Sequence, residues 1–226
     1  MATGNNTWRP IRESAFWRAY NGLRYAILFY ALLLTLIVMP IATTIGLPAL
    51  LLKILLGACL FAAVLPSATR RTRALLSAAV LLLIAARLAS DQSYLRLDSG
   101  LVLALVGMAG LAAAASALRF AVTATKVDSE TLYAALGTYL LAGLFFGQIY
   151  WSIESIHPGS FIGPDGFSES IAIYYSFVTL ATLGYGDVLP RSEIARGIAT
   201  FEVIGGQLFL AVMVARLIGA FGTGKD

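Results

Sequence analysis

Charge is scarce in this sequence. Asp, Glu, Lys and Arg together make up 12% of 226 residues, about half the share of a typical soluble domain. So little polar surface cannot cover a water-soluble globule of this length, which excludes an ordinary soluble fold. Cysteine is nearly absent: Cys59 stands alone, so it forms no intrachain disulfide and says nothing of redox compartment. Histidine is equally rare, with His157 the single example. One thiol and one imidazole give no metal-ligand cluster, and no catalytic dyad or phosphate loop accompanies them, so enzyme chemistry is not implied. No cleavable leader is expected from the first twenty residues. The N-terminal stretch carries Arg9, Arg12 and Arg18 among Trp8, Phe16, Trp17 and Tyr20, with no small-residue cleavage site after a short apolar core. The net charge of +4 does not mark a nucleic-acid binder, because the basic residues cluster beside apolar runs.

What the chain has in quantity is apolar length. Hydrophobic residues make up 59% and mean hydropathy is +0.82. Runs of the about 18–25 residues needed to cross a bilayer recur along it. The pattern predicts six spans, at about 25–45, 48–65, 74–89, 101–121, 131–153 and 194–221. Arg70, Arg71 and Arg73 lie between the second and third spans. With Arg9, Arg12, Arg18, Arg24, Arg119, Lys126, Arg216 and Lys225 they place most of the 16 basic residues on one side, so both termini are read as cytoplasmic. Residues 1–24 read either as an interfacial helix on the inner leaflet or as a plain basic flank. Residues 25–121 read as a four-helix transmembrane domain. Its fourth span has Gly107, Gly110 and alanines at 112–115, small residues that let helices approach closely. A voltage sensor needs repeated arginines, each worth about 2.3 kcal/mol per 100 mV. Only Arg119 is present, near the inner end, so steep voltage dependence is not expected.

Residues 122–130 read as a cytoplasmic connector and 222–226 as a short cytoplasmic tail. In the fifth span, Gly143 and Gly147 at helical spacing predict another close helix contact. Residues 154–168 are rich in Pro, Gly and Ser and break the helix. Ser168 then suits the N-cap of a short helix at 169–181, with Glu169 at its positive end. Thr182, Leu183, Gly184, Tyr185, Gly186 and Asp187 follow. Gly184 and Gly186 can take positive φ, which lets successive carbonyls face one axis. Such a row of oxygens replaces the water shell of a monovalent cation, and the Thr182 hydroxyl adds a ligand. One strand cannot encircle an ion, so several copies around a rotation axis are required.

The segment 182–187 resembles the selectivity filter of potassium channels. Upstream, Tyr174, Tyr175, Ser176, Phe177, Val178 and Thr179 are similar to the aromatic-rich pore helix of that family. Downstream, Pro190, Arg196 and the pair Gly205 and Gly206 fall where the family places an outer-mouth proline, an inner-helix arginine and a hinge glycine. The resemblance covers about residues 131–221. It implies an all-α membrane protein with six transmembrane helices and a re-entrant pore helix and selectivity filter between the fifth and sixth. On this reading residues 131–221 are the pore domain: outer helix, turret, pore helix, filter and inner helix. The whole is similar to compact prokaryotic six-span channels of the tetrameric cation channel superfamily that lack a charged voltage sensor.

What the resemblance implies is passive, K⁺-selective conduction by a homotetramer in the bacterial inner membrane, with three identical subunits and membrane lipid as partners. K⁺ is the permeant ion, bound by the filter residues Thr182, Leu183, Gly184, Tyr185 and Gly186 and coordinated through the first four; no organic cofactor is expected. Leu183 stands where valine is commonest, its side chain directed away from the ion. Filter support is expected from Thr179, from an Asp187 carboxylate accepting from Tyr174, and from Tyr175 bracing Tyr185, for which plain aromatic packing is the alternative. Asp187 also forms an acidic outer mouth with Glu154, Asp165, Glu169 and Glu193, although ordinary loop charge accounts for those four. Glu202 is an acid inside a membrane span, a costly position that calls for a partner or a functional role. Either it supports the pore helix and filter, or it is a hydrogen-bonded core acid. Gly205 and Gly206 are hinge candidates, with close packing the competing reason for glycine. Gln207 is placed below the filter, and Leu210, Val214 and Ile218 are read by helical spacing as pore lining and gate. Two other readings stay open: a weakly selective cation channel on the same scaffold, and a non-conducting sensor or regulatory subunit whose first four spans bind a lipid or partner.

Overall fold

The computed structural model describes residues 15–45, 99–124, 127–163 and 166–222. The expected second and third spans, the arginine-rich loop between them, Cys59, Lys126, Asp165 and the tail lie outside the described residues. Those that are described form helices α1 (Ala15–Thr44), α2 (Ser99–Thr123), α3 (Ser129–Ile156), α4 (Glu169–Leu180) and α5 (Glu193–Gly222), with strands β1 (Phe161–Ile162) and β2 (Leu189–Pro190). Three of the helices are long and apolar enough to cross a membrane: Gly100–Thr123, Ser129–Ile156 and Glu193–Gly219. α1 runs without interruption from Ala15 through the expected first span, with Pro40 inside it near its end.

The entry to α3 is set by Asp128, whose extended backbone precedes the helix and whose Oδ1 accepts from Thr131 N and Thr131 Oγ1, both at 2.8 Å. These bonds, the backbone one foremost, hold the Asp128 carboxyl below its ordinary value. A carboxyl with a lowered folded pKa stabilises above its unfolded pKa of about 3.9, and that contribution is lost as pH falls through the folded value. Asp128→Ala is therefore expected to cost about 1 kcal/mol near neutrality. The gap in melting temperature between variant and parent, followed by circular dichroism in detergent, should narrow as the buffer is taken below about pH 3. A gap independent of pH would rule out the charged cap as its source.

Glycines bring the helices together. A Cβ built on Gly110 would lie 2.0 Å from Phe145 Cγ, and one on Gly107 would lie 2.7 Å from Ile149 Cγ1, so α2 rests directly on α3. On another part of α3, Gly143 faces the Phe177 ring at 2.5 Å and Gly147 faces Ile173 Cα at 2.6 Å, which seats α4. The neighbour of Gly147 is backbone, which no rotamer change can move aside. Gly147→Ala should push α4 off α3 at a cost of about 1–3 kcal/mol; an unaltered thermal unfolding midpoint would contradict this contact.

Two apolar clusters result. In one, Leu28 and Leu32 of α1 meet Ala113 and Ala117 of α2 and Leu141, Leu144 and Phe145 of α3. One edge of it is closed by Arg24, which pairs with Glu130 at 3.2 Å and lies over the rings of Tyr25 and Phe120 at 5.0 and 5.3 Å. The second gathers Phe146, Tyr150, Phe161, Tyr175, Val188 and Ala199 around the segment that follows α4. α5 differs from the other spans. Only 17% of its apolar window is buried within one chain, against 61% for α3.

Candidate functional site: the segment between α4 and α5

α4 has 12 residues and reaches about 18 Å, short of the about 30 Å of a bilayer core. Its start follows the sequence: Ser168 accepts from Ile171 N at 3.4 Å, and Glu169 lies in the first turn. The exit is tied down by backbone bonds, Ala181 N to Phe177 O at 3.0 Å, Thr182 N to Thr179 O at 2.9 Å and Leu183 N to Val178 O at 2.9 Å. Thr182 has φ 58, Gly184 φ 54 and Gly186 φ 79, and among non-glycine residues described only Thr182 has positive φ. Left-handed residues therefore alternate with ordinary ones. Such alternation is the backbone pattern that permits successive carbonyls to face one side. A β-branched residue at positive φ is a steric outlier, carrying about 1–3 kcal/mol of strain that the surroundings must hold.

Those surroundings are well bonded. The Tyr174 hydroxyl donates to Asp187 Oδ2 at 2.8 Å, and Val188 N donates to Asp187 Oδ1 at 3.1 Å, closing the far end of the segment. Tyr175 is buried edge-on against Tyr150 and Phe161, at ring distances of 5.0 and 5.4 Å. Within one chain its ring is thus used in packing, whereas Tyr185 and Leu183 stand exposed. The loop before α4 is fastened to the stretch after the segment. β1 pairs antiparallel with β2, and Ser160 O accepts from Arg191 N at 2.7 Å and Ser192 N at 3.2 Å. Glu154 accepts from Gly159 N at 2.8 Å and Phe161 N at 3.1 Å, and Glu169 accepts from Gln148 Nε2 at 2.8 Å. Both acids shape the loop. Arg196 donates to Pro190 O at 3.2 Å and pairs with Glu193.

Glu202 is fully buried on α5. Its Oε1 accepts from Ser176 of α4 and its Oε2 from Tyr150 of α3, each at 2.5 Å. One carboxyl thereby joins three helices beside Tyr175. Sequence reading named neither Tyr150 nor Ser176 as a partner of Glu202; the only signal was that an acid in a span calls for donors, which lie 52 and 26 residues away. α5 continues unbroken through Gly205 and Gly206. A Cβ on Gly206 would lie 2.9 Å from Leu180 O, so its glycine is accounted for by packing under α4, whereas Gly205 faces open space. Gln207, Leu210, Val214 and Ile218 all lie on uncovered parts of α5, while Phe209 and Met213 pack against the core.

A short helix of half-membrane length, a non-helical exit with alternating positive φ and a long, uncovered apolar helix follow one another along residues 169–222. Residues 134–222 match the family described as ion channel, which is not an enzyme class. The inward rectifier potassium channel Kirbac3.1 of Paramagnetospirillum magnetotacticum is 33% identical over 89 residues, covering 38% of this chain and 28% of that one. A putative potassium channel protein of Rhodopseudomonas palustris is 40% identical over 50 residues, 22% of this chain and 12% of the relative. Two-pore potassium channel 2 of Arabidopsis thaliana is 27% identical over 106 residues, 42% and 21% respectively. The chain spans less than a third of the length of these relatives. No solved structure matches it. Together with the three apolar helices, the family match makes this a multi-pass membrane protein.

Proposed function

We propose that the protein conducts K⁺ passively across a cell membrane as a homotetramer, with four copies of the 182–186 segment forming the selectivity filter. The observation that carries this reading is the alternation of positive φ at Thr182, Gly184 and Gly186. It is the backbone arrangement that lines up oxygens to replace a cation's water shell. Closure around the ion comes from assembly. Leu183 and Tyr185 stand exposed beside an open-sided cavity of about 640 Å³ whose walls include Tyr175, Thr179 and Val203. Neighbouring copies fill it, and a ring-forming contact would cover the apolar face of α5. Non-helical backbone at membrane depth is tolerated there because it lines the permeation path.

In this reading α3 is the outer helix, α4 the pore helix and α5 the inner helix of a six-span chain with both termini inside. Tyr174, Asp187, Thr179 and Tyr175 brace the filter, and Glu202 fixes the pore helix from behind. Gln207 sits under the filter, Leu210, Val214 and Ile218 form the inner pore, and Gly205 gives α5 its freedom to bend. Flux through purified protein in liposomes, driven by a K⁺ gradient and compared with an equal Na⁺ gradient, tests the proposal. Selective K⁺ flux is expected. Equal K⁺ and Na⁺ flux would assign a nonselective channel, and absence of flux across voltage, pH and lipid composition would assign a sensor or regulatory role.

A further inference from the structure

The inner end of α5 makes a contact that the conduction path does not require. Arg216 donates from Nη1 to the Val122 carbonyl and from Nη2 to the Ala124 carbonyl. Val122 lies in the last turn of α2 and Ala124 is the first residue beyond it, where a helix end leaves oxygens without donors four residues on. Two oxygens just before them are satisfied locally: Phe120 O accepts from Ala124 N at 3.1 Å, and Arg119 O accepts from Thr123 Oγ1 at 2.7 Å. The guanidinium takes the next ones and sets its charge at the negative end of the α2 dipole. Its planar fork suits two carbonyls at once; a lysine ammonium is a point charge on a flexible stem.

The rest of this half of α5 is thinly attached. Beyond Gly205 and Gly206, Phe209 tilts against Tyr139 at a ring distance of 5.8 Å and Met213 packs against the core. Arg216 follows Phe209 and Met213 at helical spacing, so the three attachments share one face. Leu210, Val214 and Ile218 remain uncovered. Because Gly107 and Gly110 seat α2 directly on α3, the two helices form one body, and Arg216 is where that body grips the inner end of α5.

We propose that Arg216 is a positioning residue that latches α5 to the end of α2, so that the placement of α2 sets the aperture lined by Leu210, Val214 and Ile218. The consequence for gating rests on the channel reading above; the latch itself does not. It gives the helices before the pore a direct handle on the inner helix, beyond the covalent route through α3.

The test pairs a distance with a flux. Spin labels at Val122→Cys and Gly219→Cys, in a Cys59→Ser background and in assemblies diluted with unlabelled subunits, report the separation of the two helix ends in liposomes. With Arg216 a narrow distance distribution is expected. Arg216→Gln should broaden and lengthen it and change K⁺ flux by at least about fivefold, with the K⁺ to Na⁺ ratio unaltered; Arg216→Lys, which keeps the charge but not the fork, should fall between. An unchanged distribution in both variants overturns the latch. A displaced helix end with unchanged flux overturns its control of the pore. If the parent itself carries no flux, the channel reading fails on its own, while the distance measurement still decides whether Arg216 holds the two helices together.

Discussion

Gly184→Ala should reduce K⁺ flux through liposomes to the background of empty vesicles while leaving the helices folded. Gly184 has φ 54, and a Cβ there would meet nothing within 4 Å in one chain, so crowding in the subunit is not the cause. The effect is conformational. Holding an ordinary residue in the left-handed region costs about 1–2 kcal/mol, and the proposed tetramer repeats that in each of four copies, about 4–8 kcal/mol in all. Relief comes by rotating the peptide plane, which turns a carbonyl away from the ion. A loss of roughly 30- to 1,000-fold follows if half of that sum separates the conducting from the rotated arrangement. Selective flux in the variant at parental rates would sink the filter assignment. The strained neighbour sharpens the point: Thr182 holds φ 58 without glycine's freedom, and it does so with its N–H on Thr179 O.

Glu202→Gln should weaken the filter without changing which segment forms it. The carboxyl accepts two hydroxyl bonds, from Tyr150 and Ser176. An amide offers one accepting oxygen, so one hydroxyl loses its acceptor in a site that water does not reach. An unsatisfied buried donor costs about 1–3 kcal/mol, and the cost falls on the joint between α3, α4 and α5. Expected results are a lower thermal midpoint and faster decline of flux under sustained gradient, reproduced by Tyr150→Phe, which leaves the buried Glu202 Oε2 without its donor. A parental assembly with parental currents in Glu202→Gln would leave Glu202 as a core acid with no hold on the filter. The pair of variants also separates positioning from bulk stability, because Tyr150→Phe keeps the ring packed on Tyr175 and Phe161.

Much of the arrangement is local and therefore legible in the sequence. Ser168 at the start of α4 and the glycines at 107, 110, 143 and 147 act through spacing on a single helix, and each lies where a close contact or cap is made. The bond from Tyr174 to Asp187 came from resemblance to a family, since residues 13 apart across a helix end and a non-helical strand have no spacing rule. Glu202 announced a need for donors but could not name them. Helix rotation decides which side chains share a depth, and a small error in phase exchanges one set for another. Gly206 shows the same limit: hinge and packing both ask for glycine, and only the Leu180 carbonyl lying against it distinguishes them. Arg216 read as one more cytoplasmic charge.

By itself, the sequence determined that the molecule is a multi-pass membrane protein and pointed to a place for its chemistry. Apolar length and scarce charge required a membrane, and a single stretch of alternating glycines marked where oxygens could face an ion. Both follow from composition and backbone freedom, which need no partner. The tertiary structure decided what holds that stretch: the tripod on Glu202, the left-handed Thr182, the loop fastened through Ser160, and the grip of Arg216 on α2. These depend on how helices far apart in sequence are rotated and set against one another, and that is fixed by packing across the whole fold.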